Sequence, residues 1–170
     1  MSGTYPFHPK VQAFLDLIAY SEGTSTHPLT KDEGYDVIVS GVDGMHTFSE
    51  YKVHPFANGR APILVIPGPP VVESTASGRY QQKLRNWTFY KEQINLRDFG
   101  HNSQDRLAIQ LMNECHAIPL ILAGNVKDAI TACSGRWASF PGNRDGQPGG
   151  KTMEDLLATY DNLLAAASAA

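Results

Sequence analysis

The chain lacks the features that mark several large classes of protein. Its 170 residues include two cysteines, Cys115 and Cys133, which are too few for a disulfide framework, and we expect both to be buried thiols. No stretch approaches the roughly 20 apolar residues that a membrane-spanning helix needs. Positive charge is not in excess, since the net charge is -3, and this argues against nucleic acid as the main partner. We therefore expect neither nucleic-acid binding nor stable membrane insertion.

Signals for export, metals and cofactors are also missing. Residues 1–10 contain no apolar core of a signal peptide, so we expect the chain to offer no export route of its own. The six histidines are scattered without the spacing of metal ligands. No phosphate loop, dinucleotide fingerprint or Gly-x-Ser-x-Gly elbow occurs. We predict no metal site and no cofactor.

The patterns that are present predict a mostly helical α+β domain. With 42% hydrophobic and 18% charged residues, the composition is that of a globular protein, and the length suits a single domain over residues 1–170. Apolar residues at helical spacing predict a first helix over residues 11–20. Residues 32–51 read as a hairpin with its turn at residues 41–44, which predicts a small antiparallel sheet after the first helix. Further helices are predicted over residues 84–93 and 103–114, the second capped by Asn102 or Ser103.

Two segments are rich in proline and glycine. Residues 53–74 read as a long irregular loop with an apolar centre at residues 63–66. Long loops in compact domains are usually lids or binding loops, and the alternative here is a strand leaving the sheet. Residues 140–150 are predicted to form a second mobile loop.

Glu22 is the first candidate for a catalytic acid. It lies where the first helix stops, because Gly23 can adopt the left-handed conformation that ends a helix. A carboxylic acid that donates a proton near neutral pH needs a raised pKa, which burial beside Tyr20 and the negative end of the helix dipole both favour. A solvated glutamate at a helix end is the alternative on spacing alone.

Asp36 is the candidate second carboxylate, at the start of the first strand. A pair formed by Glu22 and Asp36 suits two-carboxylate glycoside hydrolysis, or Asp36 instead holds polar groups in place. Glu33 and Asp43 are alternatives in turn-like segments, where a solvent-facing position is expected.

The segment Ser77-Gly78-Arg79-Tyr80-Gln81 reads as a short strand with features suited to sugars. A glycine such as Gly78 lets a ligand approach the backbone. The ring of Tyr80 offers a stacking surface for a pyranose, and the amide of Gln81 can read hydroxyl or N-acetyl groups. A plain edge strand explains the same residues.

Five collinear segments resemble the bacteriophage lambda endolysin family, and together they span most of the chain from about Val11 to Gly142. They are Ser21-Glu22-Gly23-Thr24 with the helix before it, Gly34-Tyr35-Asp36-Val37, Ser77-Gly78-Arg79-Tyr80-Gln81, Leu96-Arg97-Asp98-Phe99 with Ser103-Gln104-Asp105, and Trp137-Ala138-Ser139-Phe140. The resemblance implies a lysozyme-like fold and a phage endolysin that degrades peptidoglycan by lytic transglycosylation. Glu22 matches the catalytic acid of the family. Asp36, Ser77, Gly78, Tyr80 and Gln81 are then expected to bind the glycan.

The resemblance also implies partners and a place of action. Peptidoglycan glycan strands are the expected partner, and the chain is expected to act as a monomer. It would stay in the host cytoplasm until a holin pore gives it access to the periplasm and cell wall. Two alternatives stay open: a hydrolytic muramidase in which Asp36 takes a catalytic role, and a non-catalytic peptidoglycan-binding module of a phage tail.

Overall fold

The computed structural model describes residues 7–142 and 150–169 of the chain. Its residues group into two compact units. The first unit contains residues 23–107, and the second contains residues 7–22 together with the described residues from 108 onward. The predicted single domain over residues 1–170 contains both units and stays a prediction.

Six helices and four strands occur in the part of the chain that the structure describes. In chain order they are α1 (Pro9–Ser21), β1 (Val37–Gly41), β2 (Gly44–Thr47), β3 (Ile63–Ile66), β4 (Val72–Ser74), α2 (Leu84–Gln93), α3 (His101–Glu114), α4 (Ala117–Ala123), α5 (Val126–Cys133) and α6 (Met153–Ala169). None of these helices is long and apolar enough to cross a membrane. The prediction of a mostly helical α+β fold is confirmed.

The first unit is built on two antiparallel hairpins. Strands β1 and β2 pair with Gly41 opposite Gly44, which confirms the predicted hairpin and its turn. Strands β3 and β4 pair within residues 53–74, so the apolar centre of this segment is a strand and the segment is not irregular throughout. The core of this unit contains Ile38, Phe56 and Ile63.

The second unit packs α1 against α6 and α4. The predicted apolar positions of α1 are all buried, since Val11, Phe14, Leu15 and Ile18 are at most 7% exposed. The ring of Phe14 lies 5.9 Å from that of Phe140, in an edge-to-face arrangement that fixes α1 against the segment after α5. The predicted loop over residues 140–150 falls mainly on residues 143–149, which lie outside the described residues.

Two local predictions are corrected by the structure. Helix α3 begins at His101, before the predicted caps, because Asp98 accepts hydrogen bonds from the Gly100 N–H at 2.8 Å and the Ser103 hydroxyl at 2.9 Å. Cys115 follows the end of α3 and is half-buried, whereas Cys133 is fully buried as predicted.

Candidate active site

Glu22 caps the C-terminus of α1. Its backbone N–H donates to the carbonyl of Ile18 at 2.9 Å, and the following Gly23 has a φ of +74°, which ends the helix. The residue is half-buried. The predicted position of Glu22 at a helix stop is therefore confirmed by local backbone geometry.

A short chain of hydroxyls holds the carboxyl of Glu22. The Ser139 hydroxyl donates to Glu22 Oε1 at 2.5 Å, and the Ser21 hydroxyl donates to Ser139 Oγ at 3.0 Å. The backbone of Ser139 forms a second hydrogen bond to the same carboxyl. Ser139 is only 9% exposed, and its hydrogen bond fixes the orientation of the Glu22 carboxyl through Oε1.

The segment after α5 delivers Ser139 to this position. The Trp137 N–H donates to the Cys133 carbonyl at 3.1 Å, and the Phe140 N–H donates to the Trp137 carbonyl at 3.0 Å. Trp137 and Phe140 are both buried, although the predicted mobile loop begins at residue 140. Ser139 thus lies, in sequence, between two buried aromatic residues in a segment of hydrogen-bonded turns.

The electrostatics of Glu22 suit an acid. Burial of the carboxyl raises the pKa of Glu22 above its usual value, because the anion loses its hydration. The two hydrogen bonds from Ser139 act in the opposite direction, since they stabilise the anion, and burial outweighs them. A carboxylic acid with a raised pKa can donate a proton and then accept one near neutral pH.

Asp36 lies in the first unit, directly before β1, and its carboxylate accepts hydrogen bonds from the loop that precedes it. Its Oδ1 accepts a hydrogen bond from the Thr30 hydroxyl, and its Oδ2 accepts one from the Lys31 N–H at 2.9 Å. Asp36 is 5% exposed. Both oxygens of this carboxylate therefore stabilise the loop before β1, which leaves Asp36 poorly placed to act as a nucleophile or base.

A cavity of about 360 Å³ opens beside Asp36 in the first unit. Its lining includes the rings of Phe48 and Tyr51 and the carboxylate of Asp32. Asp32 Oδ2 accepts hydrogen bonds from Tyr51 at 2.5 Å and from His101 at 2.7 Å. The cavity therefore combines aromatic surface with polar groups whose positions are fixed.

Residues 77–82 form a tight turn, and the predicted short strand is corrected here. Ser77 and Gln82 exchange backbone hydrogen bonds at 3.1 and 2.8 Å, which closes the turn between them. Gly78 and Gln81 both have positive φ, at +78° and +49°. The Gln81 side-chain amide donates to the Gly78 carbonyl at 3.1 Å and braces the turn from inside.

Gln104, on α3, holds this turn in place. Its side-chain Oε1 accepts a hydrogen bond from the Arg79 N–H at 2.9 Å. Its Nε2 donates to the carbonyls of Tyr35 at 3.0 Å and Phe99 at 2.8 Å. A Cβ atom at Gly78 would lie 2.1 Å from Gln104 Oε1, so glycine is required for this contact. The predicted ligand approach to Gly78 is therefore taken up by the protein's own side chain.

Tyr80 has a different role from the predicted sugar stacking. The residue is 1% exposed, and its hydroxyl donates to Asp105 Oδ1 at 2.7 Å. Tyr35 donates to the same oxygen at 2.8 Å. Burial raises the pKa of the Asp105 carboxyl, and the two tyrosine hydroxyls lower it by stabilising the anion. Tyr80 therefore anchors the turn, and Ser77, which is fully buried, contributes to it structurally.

The structure thus divides the predicted residues into two groups, each within its own unit. Glu22 belongs to the second unit with Ser21 and Ser139, while Asp36 and the turn of residues 77–82 belong to the first. Sequence reasoning included Ser139, Gln104 and Asp105 in motifs but gave them no role. Only the fold reveals their hydrogen bonds, since each joins segments far apart in the chain. Among the described residues, no group of three or more His, Cys, Asp or Glu side chains is arranged to hold a metal ion.

Comparison with solved structures identifies the class of fold. The structure of bacteriophage lambda lysozyme complexed with a chitohexasaccharide matches with a TM-score of 0.80 at 37% identity, over 94% of this chain and 97% of that chain. A second structure, lysozyme from bacteriophage lambda, matches with a TM-score of 0.71 at 35% identity, over 98% of this chain and 96% of that chain. The fold is therefore the lysozyme-like α+β fold.

Sequence comparison identifies the family. The model of the endolysin family matches residues 12–167. The endolysin of Escherichia phage P2 is 51% identical over 142 residues, which are 82% of this chain and 84% of that protein. The endolysin of Escherichia phage lambda is 41% identical over 137 residues, or 80% of each chain. The chain belongs to the endolysin family.

Proposed function

We propose that this chain is a phage endolysin that cuts peptidoglycan glycan strands by lytic transglycosylation, with Glu22 as the catalytic acid and then base. The observation that carries the proposal is the half-buried Glu22 carboxyl at the end of α1, whose pKa is raised and whose Oε1 accepts a hydrogen bond from Ser139. Family membership supports the substrate class. The lambda lysozyme complex with a chitohexasaccharide supports an oligosaccharide as ligand.

The reaction needs one carboxyl group in two protonation states. Protonated Glu22 gives its proton to the oxygen of the β-1,4 bond between N-acetylmuramic acid and N-acetylglucosamine, and the bond at C1 of the muramoyl residue breaks. The Glu22 carboxylate then takes the proton of the muramoyl C6 hydroxyl, whose oxygen bonds to C1 and closes a 1,6-anhydro ring. No water is consumed, and Glu22 ends protonated and ready for another cycle.

Ser139 and Ser21 set the direction of this proton transfer. Because Ser139 donates to Oε1, the proton of the acid is expected on Oε2. The same hydrogen bond stabilises the carboxylate formed after the first step, so it limits how far burial raises the pKa of Glu22. Ser21 and Ser139 are therefore proposed as positioning residues for Glu22.

The geometry of Asp36 supports transglycosylation over hydrolysis. A hydrolytic muramidase needs a second carboxylate that activates water or attacks C1. Both oxygens of Asp36 already accept hydrogen bonds from Thr30 and Lys31. We propose that Asp36 shapes the cavity beside Phe48 and Tyr51, where it orients glycan without entering the chemistry.

The turn of residues 77–82 is proposed to present the backbone that meets the glycan. Gln81 is half-buried and its amide nitrogen donates to the Gly78 carbonyl, so its backbone and amide oxygen are the groups proposed to meet sugar hydroxyls. The turn is held in its conformation by Ser77, Gly78 and Tyr80. We propose that these three residues influence glycan binding only by positioning Gln81. We propose that this activity lyses the host at the end of infection, after a holin pore gives the chain access to the cell wall.

Mass spectrometry of muropeptides released from purified sacculi tests the proposal. Wild-type protein is expected to release 1,6-anhydro-muropeptides, and Glu22→Gln is expected to release none while keeping its fold by circular dichroism. Glu154→Gln, an exposed glutamate of the same unit, is the matched control and should behave as wild type. Reducing-end products would establish a hydrolytic muramidase, and no release by folded wild type would favour a binding module.

A further inference from the structure

A second cavity, of about 320 Å³, adjoins the cavity beside Asp36 in the first unit. Thr47, Phe48 and Ser49 contribute to the lining of both, so the two spaces meet at the end of β2. Only the cavity beside Asp36 is proposed to hold glycan, which leaves the second cavity without an assigned role.

One wall of the second cavity is joined to the turn of residues 77–82. His54 contributes to this wall and is fully buried. Its Nδ1 accepts a hydrogen bond from the Phe56 N–H at 3.3 Å, so Nε2 carries the proton and donates to the Gln82 carbonyl at 2.9 Å. Gln82 closes the turn that is proposed to meet the glycan. A single imidazole therefore connects the second cavity to that turn.

Arg60 supplies the positive charge of this lining. Its guanidinium carbon lies 5.4 Å from the centre of the Phe56 ring, and this cation–π contact with a buried ring restrains an otherwise exposed side chain. His54 adds no charge near neutral pH, because burial lowers its pKa to about 4. Within the part of the chain that the structure describes, Arg60 forms no salt bridge or side-chain hydrogen bond. Its donors are therefore available to an anion from outside the protein.

The other lining groups suit a peptide. Asn58 is exposed and offers both a donor and an acceptor to peptide amide groups, and the carboxylate of Glu50 can accept from N–H groups. Val53 and Pro55 give the cavity an apolar side for short aliphatic side chains. A neutral sugar has no group that uses the charge of Arg60, whereas a carboxylate can accept two parallel hydrogen bonds from a guanidinium. The lining therefore favours a ligand with amide groups and negative charge, which is an acidic peptide.

We propose that the second cavity binds the acidic stem peptide that peptidoglycan carries on the lactyl group of N-acetylmuramic acid. The inference rests on the proposed function, because glycan in the adjoining cavity brings the peptide to this one. Arg60 binds a carboxylate of the peptide, and Asn58 binds one of its amide groups. Arg60 is then a specificity-determining residue, which acts on binding and takes no part in the chemistry at Glu22.

The position of the cavity supports this occupant. The stem peptide branches from the side of the muramoyl ring, so its site must lie beside the glycan and not in line with it. The second cavity meets this condition, since it adjoins the first cavity at Phe48 and is joined to the turn of residues 77–82 through His54. Because peptide and sugar are one molecule, binding of the sugar raises the effective concentration of the peptide at Arg60. A weak contact in the second cavity therefore produces a measurable preference for peptide-bearing glycan.

Nuclear magnetic resonance titration of the folded full chain tests the cavity without any glycan. The probe is the free acidic tripeptide of alanine, γ-linked glutamate and diaminopimelate, and its fully amidated form is the uncharged control. We expect the acid to shift the backbone signals of Ser49, Asn58 and Arg60, and the amide to shift them less. Arg60→Gln should weaken binding of the acid about 3–10-fold. Arg85→Gln is the matched control, because Arg85 is exposed on α2 in the same unit and outside the cavity lining, and it should bind as wild type.

A second titration attaches the peptide to sugar. The Glu22→Gln protein is titrated with a disaccharide of N-acetylglucosamine and N-acetylmuramic acid whose lactyl group carries either the tripeptide or an uncharged methylamide. We expect the tripeptide to tighten binding about 3–10-fold, and Arg60→Gln to remove this gain while leaving the affinity for the methylamide unchanged. Equal affinities of the two ligands, tripeptide shifts outside the cavity, equal shifts by acid and amide, or an undiminished gain in Arg60→Gln would overturn the proposal. Because these readouts are affinities and shifts, they do not depend on whether or how the chain cleaves glycan.

Discussion

Replacing Gly78 by alanine tests whether Gln104 holds the turn that is proposed to meet the glycan. The new Cβ would lie 2.1 Å from Gln104 Oε1 and 2.6 Å from its Cδ. The Gln104 side chain is fully buried and forms hydrogen bonds with Arg79, Tyr35 and Phe99, so it cannot move without breaking them.

Two costs add in Gly78→Ala. Alanine at a φ of +78° costs about 1–2 kcal/mol, because its Cβ crowds the backbone in the left-handed region. Displacing Gln104 leaves buried backbone groups without partners, at about 1–3 kcal/mol each, and partial relaxation limits the total to about 2–3 kcal/mol. The free energy of unfolding should therefore fall by about 3–5 kcal/mol.

Gly59→Ala is the matched control, because Gly59 lies in the same unit with a φ of +85° and a Cβ added there would meet no atom within 4 Å. It should lose only the backbone term of about 1–2 kcal/mol. Urea unfolding followed by circular dichroism measures the free energy of unfolding of both variants. In thermal unfolding, the melting temperature of Gly78→Ala should lie about 4–12 °C below that of the control. Equal destabilisation of the two variants would refute the role given to Gln104.

Three further predictions concern titrating groups. Ser139→Ala should raise the pKa of Glu22, because it removes a hydrogen bond to the anion. The alkaline limb of the pH–rate profile should therefore move to higher pH, whereas the control Ser134→Ala should leave that limb at the same pH. Since the pKa of Glu22 is raised on folding, its ionisation destabilises the fold above pH 4.5, and Glu22→Gln should raise the melting temperature at about pH 7 but not at about pH 4. Burial lowers the pKa of His54 from 6.5 to about 4, so stability should fall by about 3 kcal/mol as pH drops through that window. His54→Gln should remove this dependence in urea titrations, and an unchanged pH slope would count against it.

The sequence was most informative where local rules decide the structure. Apolar spacing located α1, and Gly23 marked its end, so the position of Glu22 followed from residues within one helix. The β1–β2 hairpin followed in the same way from its glycine-rich turn. Hydrophobic periodicity and turn chemistry act over a few residues, so they can be read without the fold.

The roles of the buried polar residues were not predictable in this way. Tyr80 was expected to stack on sugar, yet its hydroxyl binds Asp105, 25 residues later. Gln104 joins three backbone segments through one amide, and nothing in its neighbouring sequence indicates this. Burial of a polar side chain depends on which distant groups satisfy it, and that is a property of the fold.

The same limit applies to the thiols. Composition predicted two buried cysteines and no disulfide framework. The structure instead leaves Cys115 half-buried after the end of α3, while Cys133 is fully buried in α5. How far each thiol is buried depends on which segments pack over it, and that is a property of the fold.

The most direct test of the central claim is digestion of purified sacculi in water enriched in oxygen-18. Transglycosylation by Glu22 predicts muropeptides that end in a 1,6-anhydro ring, are one water lighter than hydrolysis products and carry no heavy oxygen. Glu22→Gln should release none of them. Muropeptides with one heavy oxygen at a reducing end would contradict the account, because water would then have attacked C1.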